Sequence, residues 1–345
     1  MKMTFRWFNK TDPISLEFIS QIPGMSGVVT AVYDVPVGQI WPLTALKELK
    51  KQCNSHHLEM EVIESIPVHE DIKLGKPTRD KYIKNYGENI KRCAQVGVKC
   101  ICYNFMPVFD WLRTNMKYKH KNGCNSLAYS KKDFDKLDPK HLHLPGWDES
   151  YTAKELQHLL KEYKKISHEQ LFKNLVYFLK KIIPICEKYK VNMAIHPDDP
   201  PWDVFNLPRI ISNEKDLDRL FKAVPSKRNG LTLCTGSFGA SRNNNLIHFA
   251  DKYSKQKRIH FLHARNIKYV DKQGSFYESG HIDTEGSIPL IKIIKVLVKN
   301  HFDGYVRPDH GRNIWGENHK PGYGLYDRAL GACYLNGIFL TLEDK

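Results

Sequence analysis

The sequence has no apolar run near the roughly 20 residues that a membrane span needs, and residues 1–7 lack the apolar core of a secretory leader. None of its eight cysteines stands in a CxxC pair, and no GxGxxG follows a strand-like segment. Acidic residues are the minority charge, 38 against 53 Lys and Arg, giving a formal net charge of +15 over 345 residues. The first absences exclude a membrane-spanning protein and argue against a secreted one. Scattered cysteines read as free thiols in a reducing compartment rather than as a disulfide scaffold, with one exception taken up below. The missing glycine fingerprint argues against an open dinucleotide-binding sheet. A cytoplasmic protein is expected.

The basic excess raises a nucleic-acid partner, as does the Lys- and His-rich stretch 117–140 with Tyr118, Phe134 and Trp147 nearby. No binding motif accompanies it, and the charge is dispersed. The expectation is no nucleic acid and no membrane, with a positive rim that attracts an anionic small molecule.

Apolar residues make up 41 % of the chain and charged residues 26 %, the proportions of a packed globular protein. Eight short apolar, β-branched runs recur, at 3–8, 27–34, 59–65, 99–105, 192–197, 230–236, 259–267 and 304–310. Helical patterns lie between them at 43–54, 80–95, 171–189, 215–223, 246–254, 289–299 and 325–338. Pro184 predicts a kink in its helix. Ser287 and Pro289 read as the cap and first turn of another. Eight strands alternating with helices predict one α/β domain over 1–345, a (β/α)8 TIM barrel.

One segment breaks the rhythm. Residues 113–166 carry twelve Lys or Arg, seven Asp or Glu and four His. They read as an insertion after the fourth strand, helical at 154–166, and serve as a lid or as a subunit contact. A homo-oligomer, a dimer, is expected.

In a barrel the active site lies at the C-terminal ends of the strands. There the fifth to eighth strands deliver His196, Cys234, His263 and Asp309. Neighbouring strands run about 4.8 Å apart, so imidazole, thiolate and carboxylate from successive strands can meet on one Mn²⁺, Fe²⁺ or Zn²⁺ ion. Cys234 is thus the one cysteine expected to be a ligand, the other seven packing residues. The loop 236–245, Ser237 included, suits an anionic or polyhydroxylated ligand. Arg265 and Asn266 suit a carboxylate. Arg307 does too, unless it forms a structural ion pair; it shares a face with Asp309. His310, beside a ligand candidate, and Tyr323, between Gly322 and Gly324, are acid/base candidates.

Several strings taken together resemble the mannonate dehydratases of hexuronate degradation. They are residues 195–201 (IHPDDPP), 234–237 (CTGS), 263–266 (HARN), 307–311 (RPDHG), 321–323 (PGY), 106–111 (MPVFDW) and 5–8 (FRWF). The resemblance implies a TIM barrel related to the xylose isomerase-like enzymes, one Mn²⁺ or Fe²⁺ per site, and dehydration of D-mannonate to 2-dehydro-3-deoxy-D-gluconate in glucuronate breakdown. It implies His196, Cys234, His263 and Asp309 as metal ligands, and His310 and Tyr323 as the acid and base. A metal-dependent sugar isomerase or epimerase on the same barrel is the alternative, with Glu64 as a further ligand.

Overall fold

Parallel pairing closes eight strands into a barrel in the computed structural model, which describes residues 1–137 and 151–343. The strands of the chain are β1 Lys2–Arg6, β2 Gly27–Thr30, β3 Glu59–Glu64, β4 Cys100–Tyr103, β5 Asn115–Lys119, β6 Asn125–Tyr129, β7 Asn192–Ile195, β8 Asn229–Cys234, β9 Ile259–Ala264, β10 Ile267–Tyr269, β11 Phe276–Glu278 and β12 Tyr305–Pro308. Around the barrel the order is β1, β12, β9, β8, β7, β4, β3, β2. All eight runs read from the sequence are its strands, each close to the expected place.

Helices flank the strands where apolar periodicity placed them: Leu43–Ser55, Arg79–Gln95, His168–Tyr189, Glu214–Ala223, Leu246–Lys255, Leu290–Lys299 and Tyr326–Glu343. The helix His168–Tyr189 runs on through Pro184. One expected cap is corrected: Ser287 Oγ accepts from Tyr269 N instead, and the Asp283 carboxylate meets the N–H of Ile291 in the helix's first turn. Among the described residues, no helix is long and apolar enough to cross a membrane.

Strand alternation builds the interior in layers. Val29, Val62, Cys100, Cys102, Ala194 and Phe261 form an apolar plug inside the barrel. Two residues further along their strands come Glu64, Asn104, His196 and His263, so the plug is the floor on which the polar side chains stand. Cysteine fits this plug because it is small and apolar. Seven cysteines are buried; Cys333 is exposed, which corrects its reading as a packing residue.

The segment after β4 differs from expectation. Its helix is present, at Ala153–Tyr163, but β5 and β6 form a hairpin ahead of it. That hairpin pairs with the hairpin β10–β11, giving a second sheet in the order β10, β11, β6, β5. Phe276 sits opposite Tyr129 in it. Residues 138–150 of the expected insertion, Trp147 among them, lie outside the described residues.

Candidate metal centre and active site

The ligand atoms of His196, Cys234 and His263 all lie within 4.8 Å of one another. Asp309 Oδ2 is 3.7 Å from Cys234 Sγ and 3.8 Å from His263 Nδ1. A tetrahedral ion with bonds of about 2.0–2.3 Å spaces its ligand atoms by about 3.3–3.8 Å, so the four residues fit a transition-metal ion. His196 Nδ1 donates to the Pro197 carbonyl at 2.7 Å, leaving Nε2 for the centre. Burial opposes ionisation of the Cys234 thiol, but Arg265 and His196 outweigh it and hold the thiol well below its usual value. The same pairing, against burial, lifts His196 to about 9. The thiolate is in the state a metal requires, and His196 gives up its proton when an ion binds.

A cavity of about 170 Å³ opens beside this cluster. His196, Asp309, Arg307, His310 and Tyr323 line it, together with Arg6, Glu64, Trp111 and Lys320. His310 Nε2 lies 3.1 Å from the Tyr323 hydroxyl. On the other edge of the ring, Arg265 Nη1 meets Nδ1 at 2.6 Å. The same Nδ1 lies 3.3 Å from Glu278 Oε1. Burial is the main cause that pushes the Tyr323 hydroxyl up to about 12, and it keeps its proton near neutrality.

Beneath the cavity runs a buried network of ion pairs. Arg265 reaches Asp199, Glu278 and Asp309 at 2.6, 2.7 and 3.2 Å. Arg113 joins Asp199 and Glu278 at 2.7 and 2.8 Å. Arg307 joins Glu64 and Asp309 at 3.0 and 2.6 Å. Glu278 comes from β11 and Arg113 from the segment entering β5, so the second sheet is pinned to the metal cluster.

Three residues expected at the substrate are placed elsewhere. Arg265 is 1 % exposed, does not line the cavity, and is spent on this network. Gly236 gives it passage, since a Cβ there would lie 2.2 Å from Arg265 Nε. Ser237, on the helical turn Thr235–Ala240 that replaces the first half of the expected loop, donates toward Asp199 and Cys234 at 3.0 and 3.1 Å. Asn266 is committed to backbone: its Oδ1 accepts from Ile267, Ser287 and Ile288, and its Nδ2 donates to the Ile288 carbonyl. Arg307 does line the cavity, and it also forms the ion pairs weighed as its alternative. Arg6, Arg113, Asp199 and Glu278 were not singled out. Asp199 stands in the IHPDDPP string, but Arg113 and Glu278 lie far apart in loops without pattern, where no local signal marks them.

Strands of one barrel that carry ligand-type side chains at a single rim define a (β/α)8-barrel enzyme. A family profile for D-mannonate dehydratase (UxuA) matches residues 1–345. The chain belongs to that family and is thereby a hydro-lyase. It is 49 % identical over 341 residues to mannonate dehydratase 2 of Halalkalibacterium halodurans, covering 98 % of this chain and 99 % of that one. The crystal structure of mannonate dehydratase from Streptococcus suis serotype 2 superposes with a TM-score of 0.94 at 46 % identity, covering 100 % of this chain and 95 % of that one. The IolI protein, solved with a zinc atom, is 14 % identical with a TM-score of 0.54 over 100 % of this chain and 98 % of that one, and shares the fold alone.

Proposed function

We propose that this chain converts D-mannonate to 2-dehydro-3-deoxy-D-gluconate and water in glucuronate breakdown, using one Mn²⁺ or Fe²⁺ ion held by His196, Cys234, His263 and Asp309. The observation that carries this reading is the cluster of His196, Cys234 and His263 within 4.8 Å, beside a cavity lined by the His310–Tyr323 pair. One thiolate among imidazoles suits Fe, and the carboxylate suits Mn or Fe. The C2 proton of a sugar acid is weakly acidic because the neighbouring carboxylate is already anionic. When bound, the ion neutralises that carboxylate and stabilises the charge that develops as the C2 proton leaves.

The chain's own groups divide the proton transfers. His310 and Tyr323 share one hydrogen bond and both face the cavity, so one can take the C2 proton while the other protonates the departing C3 hydroxyl. Arg265 holds His310 from behind, and Arg307 offers a cation to the substrate. The segment after β4 walls the cavity through Asp110 and Trp111, and we keep 113–166 as a lid or a subunit contact.

We also propose a cytoplasmic homodimer. Eight free cysteines suit a reducing compartment. The helix Tyr326–Glu343 turns Tyr326, Leu330, Cys333 and Leu340 outward, while its charged Asp327 and Arg328 are buried, a face suited to a second copy. Light scattering of wild type and Leu330→Glu tests this: a monomeric wild type sinks it.

The function is tested by incubating Mn²⁺- or Fe²⁺-loaded protein with D-mannonate, D-altronate and D-gluconate, reading the 2-keto-3-deoxy product by the thiobarbiturate reaction. Product from D-mannonate that vanishes on chelation is expected. Substrate conversion without that product would point to an isomerase.

A further inference from the structure

Arg6 stands at the open end of the ion-pair network. The charges alternate along it, from Arg6 to Glu64, Arg307, Asp309 and Arg265, then through Asp199 and Glu278 to Arg113. Each of Arg113, Arg265 and Arg307 pairs with at least two carboxylates. Among the described residues, Arg6 meets one, Glu64, and only at 3.5 Å. It is nonetheless 8 % exposed. Its Nε and Nη1 make no hydrogen bond, and neither do Nε and Nη1 of Arg307. Both side chains line the cavity. They come from β1 and β12, adjacent strands in the barrel. A buried guanidinium nitrogen without a hydrogen bond is costly, and these two guanidiniums stand side by side at one cavity.

We propose that Arg6, with Arg307, forms the anion subsite that takes the carboxylate of the substrate and so selects a sugar acid over a neutral sugar. This rests on the reading of the site as a sugar-acid lyase and adds a residue to it. Arg6 lies outside the metal cluster and the His310–Tyr323 pair, and its planar guanidinium offers a carboxylate oxygen a charge-assisted hydrogen bond while leaving the other oxygen free. It acts in binding: its loss raises KM more than it lowers kcat.

The test compares wild type, Arg6→Gln and Arg6→Lys, each loaded with Mn²⁺ and checked for metal content and melting temperature. Two readouts are taken: kcat and KM for D-mannonate, and calorimetric binding of D-gluconate beside neutral D-mannitol. Loss of a charge-assisted pair predicts that Arg6→Gln weakens sugar-acid binding about ten- to a hundredfold, with D-mannitol and metal content unchanged. Arg6→Lys recovers part of the loss. Equal D-gluconate affinity in wild type and Arg6→Gln overturns the inference, even if D-mannonate is turned over. No turnover in wild type, with Arg6-dependent D-gluconate binding, overturns the proposed reaction and leaves the subsite standing. If neither sugar acid binds wild type, both fall. If Arg6→Gln does not fold, a KM for Arg6→Lys equal to that of wild type decides against the subsite.

Discussion

The carboxylate of Glu64 lies 3.3 Å from Nε2 of His263, on the edge of the ring away from Asp309. A carboxylate behind a ligating imidazole fixes its orientation and tautomer, and its loss costs about 10–100-fold in metal affinity. Burial works against the charge of Glu64, but Arg307, His263 and Arg6 hold it far below the usual carboxylate range. Glu64→Gln keeps the volume and removes the charge. Metal content after dialysis against graded chelator should fall by that factor in the variant, and an unchanged affinity would show that the carboxylate does not support the centre.

The Cys234 thiol is held down, whereas burial pushes Cys53 and Cys186 up to about 12. Cys234→Ser should lose at least about tenfold in bound Mn²⁺ or Fe²⁺, because a hydroxyl is a poor substitute for a thiolate. Full metal occupancy in the variant would remove Cys234 from the site.

Proton transfer by a positioned side chain contributes about 10²–10⁴-fold. His310→Asn and Tyr323→Phe should therefore each lower kcat by at least about 100-fold, with KM changed far less. Turnover close to wild type in either variant would take that residue out of the chemistry.

His260 supplies a pH-dependent contribution to stability far from the reaction. Burial, aided by Arg228 and Arg258, lowers its value from 6.5 to about 4. Its ring faces the Lys227 carbonyl at 2.9 Å. The folded state keeps this ring neutral where the unfolded chain binds a proton. Stability is therefore full above pH 6.5, falls as pH drops toward 4, and levels below that. The slope from one such group is at most about 1.4 kcal/mol per pH unit. Denaturant unfolding at pH 7.5 and 4.5 should show a smaller difference for His260→Gln than for wild type.

How much could be read in advance follows from distance along the chain. Each barrel strand carries its own apolar signature, and alternation then sets which residues face inward. That His196, His263 and Asp309 meet at one rim was therefore legible from strand ends. Arg265 was misplaced because its neighbours in sequence say nothing of Asp199 and Glu278, the partners that hold it. Asn266 looked free for a ligand for the same reason: Gly286, where a Cβ would come within 2.0 Å of its side chain, is what admits it to the backbone of residues 287 and 288. The hairpin β5–β6 escaped notice because Asn115–Lys119 is exposed and polar along most of its length.

That hairpin changes how the barrel's loops can diverge. Two connections more than a hundred residues apart in sequence, one after β4 and one after β9, share a sheet and clamp Arg113 against Glu278. Neither can be exchanged alone without stranding a buried charge. They form one transplantable cassette: moving both together between relatives should carry the cavity wall intact, while moving either by itself should yield a misassembled rim.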